Sequence, residues 1–175
     1  MYAVPMLRGQ DILVLVRLIG EPPRARIAWI AESLGLGVGP VHRSLASLSK
    51  AHLLLEDRRV ALAQADEFLV HGLQYVFPPS FGGESRGVPT AWAASPLREK
   101  LAESGSQPLV WPHPQGRLRG IALEPLHPVV PDVALRDPEL HERLALVDAL
   151  RLGDARLRRI AREELFARAG KQVAL

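Results

Sequence analysis

The sequence predicts an α+β, mostly helical chain built in three parts. Three observations predict it. Apolar residues recur at helical spacing up to about Phe77, prolines crowd the stretch from Pro78 to Pro131, and helical spacing returns from Asp132 to Leu175. The expected divisions are therefore 1–77, 78–131 and 132–175. With 175 residues, 47% hydrophobic and 23% charged, the chain can bury a real core.

In the first part, Gln10 to Ile19 reads as a helix stopped by Gly20 and Pro22-Pro23. Seven of the eight residues from Ile12 to Ile19 are apolar, so something must cover this helix on both faces. A second helix, Arg24 to Leu34, aligns Ile27, Ile30, Ala31 and Leu34 and stops at Gly35. A third, Val38 to Ala51, places Val41, Leu45 and Leu48 on one stripe. Leu53-Leu54-Leu55 and Arg59-Val60-Ala61-Leu62 flank the polar turn Glu56-Asp57-Arg58 and predict a small hairpin. A fourth helix, Ala63 to Val76, closes the unit.

The middle part holds ten of the fifteen prolines, which forbids a long helix there. Two of the three tryptophans, Trp92 and Trp111, argue that it is partly ordered around a local core. Pro96 predicts a short helix to about Glu103. Leu109-Val110-Trp111 and Arg117 to Ile121, around Pro112 to Gly116, predict a second hairpin. In the last part, Asp137-Pro138 is a helix start, an acid cap followed by proline. That helix aligns Leu140, Leu144 and Val147 and runs to about Leu152. Gly153-Asp154 turns the chain, and Leu157, Ile160, Ala161 and Leu165 line a helix to about Ala169. The pair forms a C-terminal helical hairpin.

The segment Ile30-Ala31-Glu32-Ser33-Leu34-Gly35-Leu36-Gly37-Val38-Gly39-Pro40-Val41-His42-Arg43-Ser44-Leu45-Ala46-Ser47-Leu48 resembles the helix-turn-helix of bacterial winged-helix regulators such as the MarR and IclR families. Ala31 is small where two helices cross, Gly35 permits the tight turn, and Leu34, Leu36, Val41, Leu45 and Leu48 seal the core beneath. The resemblance covers about 70 residues and implies an N-terminal winged helix-turn-helix that binds double-stranded DNA. Val38 to Ala51 would then be the recognition helix in the major groove and residues 55–60 a short basic wing. The implied contacts are Gly39, Pro40, His42, Arg43, Ser47 and Lys50, with Arg58 and Arg59 on the wing. Arg43 is placed to fork onto guanine or phosphate, and Lys50 to meet phosphate.

The chain departs from the family pattern at two points. Gly37 stands where a Ser or Thr usually caps the recognition helix, and Pro40 where a Thr is common. Both remove hydroxyl donors to phosphate, and the reading face is poor in side chains that discriminate bases. This implies weak specific binding per monomer and a need for a dimer, or a winged helix that serves mainly to bind protein.

Charge distribution agrees with a nucleic-acid partner more than its sum does. The net charge is only +3, yet between Pro22 and Val60 six cations face three acids. Arginine outnumbers lysine nineteen to three throughout, so an arginine is not by itself a phosphate clamp. The last helix, with Arg156, Arg158, Arg159, Arg162 and Arg168, reads as a solvated face paired with Glu163 and Glu164, with an acidic partner or DNA as the alternative reading.

Other chemistries find no footing. The absence of cysteine excludes disulfides and thiolate sites, and a reducing compartment is the default. Gly35, Gly37 and Gly39 follow a helix rather than a strand and lack a following Gly-Lys-Ser/Thr, so they do not form a phosphate loop. The six histidines, His42, His52, His71, His113, His127 and His141, offer no close ligand pair. No serine sits in a nucleophile elbow. No catalytic residue, cofactor or metal is expected. Met1 to Met6 does not read as a leader, and no apolar run approaches the roughly twenty residues of a membrane span.

The expectation is a cytoplasmic transcriptional regulator acting as a homodimer, with the apolar first helix and the C-terminal helices forming the interface. The competing expectation is an antitoxin-like partner whose middle and C-terminal parts restrain a co-encoded protein.

Overall fold

The computed structural model describes residues 6–101, 107–152 and 154–170. The readings at Met1–Pro5, at the Glu103 end of the short helix and at Gly153 lie outside the described residues.

The first three helices are α1 (Gly9–Leu18), α2 (Ile27–Leu34) and α3 (Val38–Lys50). The Asp11 carboxylate accepts the Arg8 N–H at 2.8 Å and so holds the start of α1. Helix α2 begins three residues later than its periodicity suggests. Arg24 is left-handed (φ 59°), and its N–H donates to the Asp57 carbonyl at 2.8 Å, so tertiary pairing takes residues 24–26 out of the helix. At the other end Gly35 adopts φ 63°, and Leu36 N–H closes the helix on the Ala31 carbonyl at 2.9 Å.

The expected hairpin after α3 is reduced to one antiparallel bridge, Leu54 to Val60, beside Leu55 N–H donating to Arg59 at 2.8 Å. The rod that follows is α4 (Leu62–Glu67), a π turn (Phe68–Gly72) and α5 (Leu73–Val76), close to the expected span.

The middle part departs from expectation. Strands β1 (Phe81–Thr90), β2 (Leu109–Pro112) and β3 (Leu118–Leu123) form a small closed barrel. β2 and β3 do not pair as a hairpin. Each is antiparallel to β1, and they meet one another in parallel at Leu109–Ile121 and Val110–Ala122. Glycine makes this possible: a Cβ on Gly116 would run into the Gly87 backbone. A 3₁₀ turn (Ala91–Ala93) and α6 (Leu97–Lys100) lie between β1 and β2.

The last part contains α7 (Val130–Arg136), unexpected from sequence, then α8 (Pro138–Arg151) and α9 (Ala155–Gly170). Asp137 caps α8, accepting the Leu140 N–H at 3.0 Å, and Asp154 accepts the Leu157 N–H at 2.7 Å. Helix α8 is the axle of the molecule. Arg143 to Arg151 are all buried, and α1, α5, α7, α9 and β1 pack on it.

One hydrophobic cluster runs from Ile12 through Leu48, Leu69 and Trp111 to Leu165. Helix α1 lies between α3 and α8, with Ile12 to Val16 fully buried. Arg143 Nη1 donates to the Ile19 carbonyl at 2.8 Å, closing the same junction. The apolar faces that suggested a homodimer are thus covered within one chain, and that argument for dimerisation falls away.

Candidate nucleic-acid interface

Helix α3 rests on Val41, Ser44, Leu45 and Leu48, which are buried. With these inward, helical spacing turns Gly39, His42, Arg43, Ala46 and Lys50 to solvent, and Pro40 and Ser47 flank them half-buried. Gln10 of α1 holds the start of this helix. Its side-chain amide donates to the Pro40 carbonyl at 3.1 Å and to Ser44 Oγ at 2.9 Å. Sequence reasoning missed Gln10, whose role depends on a contact thirty residues away.

Six of the expected contact residues therefore share one surface: Gly39, Pro40, His42, Arg43, Ser47 and Lys50. The Arg43 side chain lies back along the helix, within 3.7 Å of a Cβ built on Gly39. Neither Arg43 nor Lys50 has an ion-pair partner among the described residues.

The two expected wing cations behave differently. Arg58, left-handed at φ 67°, turns inward, and its Nη1 donates to the Ala25 carbonyl at 3.3 Å. Arg59 stays exposed but is held by Asp57, Nε to Oδ2 at 2.7 Å. The Arg59 backbone N–H, with its guanidinium, keeps the Asp57 carboxyl below the usual carboxylate range. The turn residues are engaged in fastening the turn to the loop before α2. On α3, Arg43 and Lys50 are exposed, and Arg24 and Arg26 add exposed cations ahead of α2.

Away from this face sits a buried polar cluster that no sequence pattern announced. Asp148 accepts from Thr90 Oγ1 at 2.8 Å, Trp111 Nε1 at 2.7 Å and Arg151 Nη1 at 2.7 Å. Arg151 donates in turn to the Phe77 carbonyl at 2.9 Å. Burial pushes the Asp148 carboxyl up, and Arg151, Thr90 and Trp111 pull against it. His141 contacts the Pro89 carbonyl through Nε2 at 2.7 Å and lies beside Trp111. The Asp148 and Arg151 side chains are spent on each other and on Thr90, Trp111 and the Phe77 carbonyl, so the cluster ties β1, β2 and the α5–β1 linker to α8.

Compared with family models, curated proteins and solved structures, the chain matches none. What the α3 face can do follows from its geometry and charge. Among the described residues no three His, Asp or Glu side chains converge as metal ligands, and no helix is long and apolar enough to cross a membrane.

Proposed function

We propose that the chain is a DNA-binding transcriptional regulator of the winged-helix type. Helices α2 and α3 act as the helix-turn-helix, α3 enters the major groove, and the Leu54–Val60 turn is a rudimentary wing. The carrying observation is the division of α3. Its aliphatic stripe is buried, while Arg43 and Lys50 stand exposed on the opposite side without carboxylate partners among the described residues. Arg43 and Lys50, about two helical turns apart on one exposed face, suit neutralisation of duplex phosphates.

With Arg58 bound to the Ala25 carbonyl and Arg59 paired with Asp57, the wing adds little free charge and α3 carries the contact. Binding affinity should then fall steeply with salt. Replacing Arg43 and Lys50 together by alanine lowers the slope of log affinity against log salt by about two. A slope identical to wild type in a promoter-duplex titration refutes the assignment.

The same fastening of the wing favours a second reading, an antitoxin-like partner that restrains a co-encoded protein. Phe81, 54% exposed, borders a proline-lined groove of about 570 Å³ that also includes Pro112, Pro125 and Pro128. Stable co-purification with the adjacent gene's product, by a protein that does not shift DNA, would support this reading over the first.

A further inference from the structure

We infer that Arg136, at the end of α7, is an additional phosphate contact of the DNA-binding surface, supplied by the C-terminal part of the chain to the turn between α2 and α3. The inference rests on the reading of α3 as the DNA-facing helix and extends it to a residue outside the expected motif.

Gly35 is where the two parts meet. Its positive φ ends α2, and a Cβ built there would lie 3.1 Å from Arg136 Nη2 and 3.5 Å from Val129 Cγ2. The Arg136 guanidinium therefore lies against the turn that leads into α3. The residue is exposed, and its Nε donates to the Asp132 carbonyl, 3.3 Å away and one helical turn back.

Its charge is not cancelled locally. Asp132 stands four residues earlier, the usual place for a helical ion-pair partner, but its carboxylate goes to His113 Nε2 at 3.0 Å. Asp137, the next residue, is spent on capping α8 and faces Arg17 at 3.7 Å. Glu32, one turn before Gly35, is exposed and has no cation within 4 Å among the described residues. No described carboxylate lies within ion-pair distance of Arg136.

The position fits a phosphate better than a base. Arg136 sits beside the turn and not on the outer face of α3, so it would touch the strand flanking the groove. A guanidinium forks onto phosphate oxygens without regard to sequence. It lies against Gly35, two residues before Gly37, and would supply a charged donor where Gly37 and Pro40 leave the start of α3 without hydroxyls.

The test is fluorescence anisotropy with a labelled duplex from the chain's own promoter and with an unrelated duplex, over about 50 to 200 mM salt. Arg136→Ala should lower the salt slope by about one and weaken binding to both duplexes equally, while Arg136→Lys keeps the wild-type slope. Because the slope counts neutralised phosphates, a purely structural role for Arg136 would leave it unmoved. If Arg43→Ala/Lys50→Ala flattens the slope and Arg136→Ala does not, the inference is overturned and the DNA reading stands. If the wild-type protein binds neither duplex, the DNA reading fails and this inference fails with it.

Discussion

Asp148 shows how much one buried side chain can hold. It is 1% exposed and joins α8 to β1 through Thr90, to β2 through Trp111, and to the linker after α5 through Arg151. Asp148→Ala leaves the Arg151 guanidinium buried without its counter-charge and two further donors unsatisfied. The expected cost is about 3–5 kcal/mol, read as a lower urea midpoint. A cost below about 1 kcal/mol would show that Arg151 finds enough compensation from the Phe77 and Pro78 carbonyls. His141 predicts a pH dependence. Burial lowers its imidazole below the ordinary value of 6.5, against the opposing pull of the Pro89 carbonyl and Glu142. The unfolded chain then takes up the proton first, so stability is present above about pH 6.5 and declines as pH falls through the interval below it. His127, also lowered by burial, adds in the same direction. His141→Gln, which can still donate to Pro89, should reduce the loss of stability between about pH 7 and 5. An unaltered pH profile for that variant would show that His141 is not responsible.

Single elements hold by caps and stripes. Asp137 serves α8 as the acceptor for Leu140 N–H, and Pro138 follows at the first helical position. Asp137→Ala should cost about 1 kcal/mol. Because α8 supports α1, β1 and α9 together, the loss should appear in global unfolding and not as local fraying. For α3 the stripe matters more than the cap, since Gly37 offers no side chain. Leu48 is fully buried at the base of the helix. Leu48→Ala should cost about 2–5 kcal/mol, with the size set by how far α1 can settle into the space. A change at Ala46, on the exposed side, should leave thermal stability near wild type while altering the proposed DNA contact. Equal destabilisation at both positions would contradict the division of α3 into a buried stripe and a free face.

Across the whole molecule, α1 is shared. It forms the floor under α3 and also one wall against α8, where Arg143 takes its terminal carbonyl. The chain should therefore unfold as one cooperative unit, with far-ultraviolet dichroism and tryptophan fluorescence giving superimposed transitions. Trp29 lies in the N-terminal part, Trp92 and Trp111 in the middle, so the fluorescence signal samples both. Separate transitions would show two independently folding units. Cutting the chain after Phe77 uncovers the side of α1 that α8 covers, and such a fragment should self-associate or bind a hydrophobic dye. A fragment that stays monomeric and dye-free would mean that the α1–α8 contact contributes little.

Local patterns in the chain were enough to place α1, α3, α8, α9 and the outward face of α3, but not α7 or the start of α2. Val41, Leu45 and Leu48 are spaced by the helical period, Gly35 and Asp137 carry their own turn and cap chemistry, and these signals act within a few residues. The same local character made Arg43 and Lys50 legible as exposed cations. Tertiary structure alone decided the rest. Strand β1 has no alternation at its start, where Phe81 is followed by Gly82-Gly83, and exists because β2 and β3 both pair with it. The wing arginines were legible as charges but not as partners of Ala25 and Asp57. Gln10, Asp148 and Arg136 act on groups that are distant in the chain. Helix α1 displayed its need for cover in its composition, but whether a second copy or its own α8 would supply that cover depended on how the chain folds back. Short-range sterics and periodicity are written in consecutive residues, whereas the partner of a buried face or a buried charge is set by the closing of the whole core.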